Sequence, residues 1–156
     1  MISIVGLSFC KIAWIFTAPD SVCRKIRKLS RFQKNSRKGR LIMPGLVLEG
    51  GTFRPVFSCG VMDALLDNDI MFDYVIGVSA GITYAASYLS RQRERNINIL
   101  RQYRGDKRYF GARNLLHDHS IFGTDFVFDT IPNQLVPFDW DEFHKYQGKY
   151  LVGVTN

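Results

Sequence analysis

The chain has 156 residues, enough for one domain with a proper buried core, and its 46% hydrophobic and 22% charged residues are ordinary for a globular protein. Its net charge of +7 is local: residues 1–42 hold ten Lys/Arg against one acid, Asp20, while residues 43–156 hold eleven Lys/Arg and thirteen acids. That distribution argues against a nucleic-acid partner, which would want basic charge spread over a folded face. Three cysteines, Cys10, Cys23 and Cys59, include no C-x-x-C pair and no His at ligand spacing, so neither a disulfide framework nor a zinc site is indicated. A reducing, cytoplasmic compartment is the default expectation, and Cys59, inside an apolar helical stretch, reads as a small core residue.

Residues 1–42 read as a basic extension. The segment from Met1 to Ala18 is apolar but interrupted by Lys11, short for a membrane span, and followed rather than preceded by positive charge, unlike a cleavable signal. The run from Arg24 to Arg40 is densely cationic. Three readings compete: a peripheral membrane-surface anchor, a localisation or nucleic-acid tail, and a disordered extension with no fold of its own, the last being preferred. Met43 stands directly before the first apolar strand, consistent with a translation start there.

From residue 43 onward the pattern is α/β. Leu46-Val47-Leu48 is a short buried strand ended by Gly50-Gly51. Pro55 suits the first turn of a helix that runs from Val56 and stops at Asp67-Asn68-Asp69. Tyr74-Val75-Ile76 is a second strand, entering Gly77-Val78-Ser79-Ala80-Gly81, and Ile82 to Leu89 is an apolar helix with small residues suited to packing on a sheet. Arg91 to Arg95 reads as a solvated polar break, and Ile97 to Tyr103 as a helix. Residues 107–135 are mixed and aromatic-rich, Trp140 to Tyr146 is a short helix, and Tyr150 to Val154 is a third strand. This alternation predicts a mainly parallel sheet in α/β layers. The chain stops just after a strand, which reads as the cut edge of a longer sheet.

Two turns carry chemistry. Gly77-x-Ser79-x-Gly81 lies between a strand and a helix, where a nucleophile elbow needs small neighbours to present a serine on a strained backbone. The helix that follows aims its N-terminal amides at developing negative charge. Glu49-Gly50-Gly51-Thr52-Phe53-Arg54 occupies the equivalent place after the first strand, and a glycine-rich turn there exposes backbone N–H groups to a phosphate or an oxyanion. It lacks the Gly-Lys-Ser/Thr ending of a Walker loop and the spacing of a dinucleotide fingerprint. Acyl transfer needs both a nucleophile and oxyanion donors, and two adjacent strand ends could supply them. A serine also needs a base. In Ser–Asp–His order only Asp125, Asp129 or Asp139 with His144 could follow Ser79, and the helical setting of His144 speaks against that triad. His117 and His119 sit in a polar loop where solvation is the simpler role.

The stretch from Leu46 to Asn156 resembles the patatin-like phospholipases and lipid acyl hydrolases. The resemblance rests on LVLEGG, Arg54, the helix with GVMDALL, FDYVIGVSAG, Phe122-Gly123, Ile131-Pro132-Asn133 and the closing Val154-Thr155-Asn156. It implies a three-layer α/β/α fold, hydrolysis of acyl lipids by a Ser–Asp dyad, and no metal or organic cofactor. Ser79 becomes the nucleophile, with Gly77, Val78, Ala80 and Gly81 forming its elbow. Gly50, Gly51, Thr52 and Arg54 become the oxyanion loop, with the amides of Gly51 and Thr52 as donors. Two departures stand out. Thr52 and Pro55 replace glycines of the family loop, and the chain has no Asp-Gly pair, whereas the family's base sits in Asp-Gly-Gly/Ala. The expectation is therefore the N-terminal part of a longer enzyme, with little turnover on its own. The alternative is a catalytically inactive fragment that binds a membrane or a partner through its basic N-terminus.

Overall fold

A computed structural model describes residues 44–51, 53 and 56–154. The basic extension and residues Thr52, Arg54, Pro55, Thr155 and Asn156 lie outside them, so the expectations placed on those positions concern residues beyond the description. The described residues divide into two compact units, 44–85 with 147–154, and Ala86–Tyr146.

The first unit is built on a parallel sheet of three strands, β1 (Leu46–Leu48), β2 (Tyr74–Val78) and β3 (Lys149–Gly153), in that spatial order. Leu46 pairs with Val75 and Leu48 with Gly77, while Tyr74 pairs with Lys149 and Val78 with Gly153. Between β1 and β2 runs α1 (Val56–Leu66), which buries Cys59, Met62 and Leu65 at helical spacing. It ends as expected at Asp67-Asn68-Asp69, where Asp69 takes φ 49° and the Ile70 N–H closes back on the Leu65 carbonyl at 2.9 Å. With Leu48, Ile70, Phe72 and Val75 these side chains form the core of this unit, each fully buried one stabilising by about 1.5–3 kcal/mol relative to exposure. The α/β layering, a parallel sheet flanked by helices, is the one anticipated.

After β2 comes α2 (Ala80–Leu89), which starts two residues earlier than hydrophobic patterning suggested, because Ala80 and Gly81 already belong to its first turn. The second unit continues with α3 (Arg95–Tyr103), the single-turn α4 (Asn114–His117), a π-helical segment over Phe126–Leu135 and α5 (Trp140–His144). Its core gathers Tyr88, Leu89, Leu100, Tyr109, Phe126 and Ile131. The polar break is a real turn, with Arg91 and Glu94 at φ 54° and 59°, but Arg95 is no solvated residue. It opens α3 half-buried, its guanidinium donates to the Val136 carbonyl at 2.8 Å, and it lies 5.2 Å from the Phe138 ring centre. The stem and planar head of arginine make such burial affordable where lysine would not be.

Candidate active site

The register of β1 on β2 sets the site. Because Leu48 pairs with Gly77, both strands end side by side, and Glu49-Gly50 leaves the sheet next to Val78-Ser79. Ser79 links β2 to α2 with φ 51°, a left-handed conformation that costs a non-glycine residue on the order of 1 kcal/mol or more. Its side chain is on the exposed surface, and its carbonyl accepts the Ile82 N–H at 2.9 Å, so the serine stands at the threshold of the helix. The positive end of the α2 dipole is therefore at Ser79.

Glycines are needed on both sides of this turn. A Cβ on Gly77 would meet the Ile82 Cα at 2.8 Å and the Gly81 carbonyl oxygen at 2.9 Å. One on Gly81 would come within 2.6 Å of the Leu48 carbonyl oxygen and 2.7 Å of that of Glu49, so the first turn of α2 lies directly against the end of β1. The glycine turn and the serine also touch: a Cβ on Gly50 would stand 2.8 Å from the Ser79 Cβ and 3.6 Å from its Oγ. Gly51 follows at φ 119°, a conformation that favours glycine.

Three further residues shape this region, and two of them, Gly153 and Tyr150, were not singled out by their sequence positions. Gly153 of β3 flanks the elbow from the other side, where a Cβ would collide with the Val78 Cγ2 at 2.8 Å. The Tyr150 hydroxyl donates to the Ile82 carbonyl at 2.7 Å, tying β3 to the opening turn of α2. Burial pushes this phenol up to about 12, and only its protonated form can make that bond. Finally, Glu49 holds its Oε1 out of water without a hydrogen-bond partner among the described residues, immediately before the glycine turn. A buried acceptor left unpaired costs roughly 1–3 kcal/mol. The signal that could have located Gly153 was its place in a strand, where glycine often marks a close approach of backbones.

The other titratable candidates belong to the second unit, and Asp129, Asp139 and His144 are engaged there. The Asp139 carboxylate accepts the Glu142 N–H at 2.8 Å as the cap of α5, and Asp129 accepts from the Asn133 amide at 2.8 Å. His144 leans on Trp140 with ring centres 6.3 Å apart. Gln92, Pro137, Phe138, Asp139, Trp140 and Asp141 line an open depression of about 580 Å³ in the same unit. Among the described residues no three His, Cys, Asp or Glu side chains converge as a metal would require, and no helix is long and apolar enough to cross a membrane.

Comparison with known proteins agrees with the residues that carried the resemblance. Searches of curated proteins and of solved structures returned no match. A sequence model of the patatin-like phospholipases, however, matches residues 46–150, a span that holds β1, β2, the glycine turn and the turn at Ser79. The chain belongs to the patatin-like phospholipase family.

Proposed function

We propose that the protein is a serine lipid acyl hydrolase in which Ser79 attacks the carbonyl carbon of an acyl ester. Membership of the family supports a lipid ester as substrate class. In the proposed step the Ser79 Oγ bonds to the carbonyl carbon, and the carbonyl oxygen becomes an oxyanion held by the amides of Gly51 and Thr52. The N-terminus of α2 adds its dipole to that stabilisation. The intermediate collapses with loss of the alcohol, which takes up the proton given up by the serine, and water then hydrolyses the acyl-serine. Arg54 belongs to the same loop and Val78 and Ala80 complete the elbow. The observation that carries the reading is the meeting of Gly50 with Ser79 at neighbouring strand ends, with Ser79 in a strained strand-to-helix turn.

A fluorophosphonate probe tests the assignment directly. Mass spectrometry should find the adduct on Ser79, and Ser79→Ala should remain unlabelled. Equal labelling of both proteins would overturn the proposal. A second reading, a non-catalytic lipid- or partner-binding protein, is favoured by the lack of an Asp-Gly pair to supply the dyad base. The two separate on turnover of a short-chain ester by the 156-residue chain. Rates indistinguishable from Ser79→Ala match the incomplete dyad, whereas efficient hydrolysis requires a base within this chain.

A further inference from the structure

The loop between α3 and the π-helical segment is closed at its base and apolar at its tip. The Phe110 and Phe122 backbones form an antiparallel bridge, and the Gly111 N–H donates to the Ile121 carbonyl at 2.9 Å. The Asn114 amide reaches the carbonyls of Lys107 at 3.2 Å and Ile121 at 3.1 Å, drawing the two arms together from inside. Asp118 accepts the Thr124 N–H at 3.0 Å, and the Phe110 and Phe122 rings meet edge to face with centres 5.2 Å apart. Such a base holds the tip in place through Asn114 and the backbone of the arms, without help from the two leucines that follow.

That tip carries α4, whose Leu115 and Leu116 are 54% and 84% exposed, with Phe110 at 40% and Ile121 at 47% on the arms below. Two successive leucines facing water on one helical turn do not form the inner stripe of an amphipathic helix, so burial among the described residues does not account for them. A cluster of exposed apolar side chains of this kind marks an interaction site. Its surroundings are cationic. Residues 101–121 contain Arg101, Arg104, Lys107, Arg108 and Arg113 against Asp106 and Asp118. Asp106 is paired with Arg108, and among the described residues Arg104, Lys107 and Arg113 make no ion pair.

We propose that this loop is a membrane-docking element, in which Leu115 and Leu116 enter the acyl boundary of an anionic bilayer while Arg104, Lys107 and Arg113 meet headgroup phosphates. An apolar tip on a cation-rich loop matches the layering of such a surface, apolar beneath and negative above. A second copy of the chain would bring like charges together around the same leucines, which disfavours that occupant. The inference deepens the lipid-hydrolase reading by naming how the chain reaches an aggregated substrate, but its test uses binding and not turnover.

The 156-residue chain should co-float with phosphatidylcholine vesicles containing phosphatidylserine, less so as salt is raised, and weakly with phosphatidylcholine alone. The double substitution Leu115→Ser, Leu116→Ser should lower partitioning at least about tenfold at unchanged melting temperature, since both side chains face water already. Ser79→Ala should bind like wild type, and the double variant should keep wild-type fluorophosphonate labelling in detergent, so failure of the docking idea and failure of the hydrolase idea give different patterns. Because residues 1–42 are also basic, Leu116→Trp supplies a local reading: its fluorescence should shift to the blue and be quenched by lipids brominated on their acyl chains. Wild-type binding by the double variant, or an unquenched Trp at position 116, would overturn the proposal. So would a change of oligomeric state in the double variant with vesicle binding intact, which would assign the leucines to a second copy.

Discussion

Ser79 sits at φ 51°, where a Cβ strains the backbone and glycine does not. Ser79→Gly and Ser79→Ala both remove the hydroxyl, yet only the first relieves the strain. Thermal or denaturant unfolding should therefore find Ser79→Gly more stable than Ser79→Ala by about 1 kcal/mol. Equal stabilities would mean that the turn relaxes around any side chain and that its strain is not stored. The strand-to-helix turn at Ser79 was legible in sequence because its physical demands are local: Gly77 and Gly81 are spaced by the turn itself. Gly50 was legible for the same reason. The pairing of Gly153 with Val78 and the bond from Tyr150 to the Ile82 carbonyl depend on partners about 70 residues away along the chain, and no local pattern carries them. The dependence of Arg95 on Val136 is long-range in the same way, which is why it read as a solvated residue.

At the level of elements, the three strands and the helices α1, α2 and α3 follow from short apolar runs and their punctuation, within one or two residues at their ends. The π-helical segment at Phe126–Leu135 was beyond such reading. Its widened turns do not keep the 3.6-residue period, and Pro132 inside it argues for a break, whereas the Val136 N–H still reaches the Ile131 carbonyl at 2.8 Å. The union of β3 with α2 has a pH signature. Tyr150 is held protonated up to about 12 against an ordinary value of 10, and the buried Cys59 thiol is likewise pushed up to about 12 from 9, by desolvation first and the nearby Asp63 second. In both cases the unfolded chain loses its proton at lower pH than the folded one. Their contribution to stability is complete below about pH 9 and declines as pH rises toward 12. Tyr150→Phe should flatten the upper part of that decline in a series of melting temperatures, between pH 10 and 12. An unchanged slope would show that the phenol ionises freely in the folded protein.

For the molecule as a whole, family membership and α/β layering were within reach of the sequence because the turns at two strand ends are written in adjacent residues. The apolar loop tip was not, since residues 107–135 read only as mixed and aromatic-rich, and nothing local tells that Leu115 and Leu116 are left outside. The division into two units is also a property of contacts, with no run of Gly, Pro or Ser to announce it.

The sheet has a consequence for handling the protein. Among the described residues β3 forms one border of the three-stranded sheet, and Leu151, Val152 and the following Val154 are exposed along it. A border of this composition is a template onto which another extended segment can add, backbone to backbone, with β-branched side chains to grip. Concentrated samples should accordingly form light-scattering assemblies that bind amyloid dyes. A lysine at that border, as in Val152→Lys, should delay their onset, because each added strand would then have to stack charge on charge.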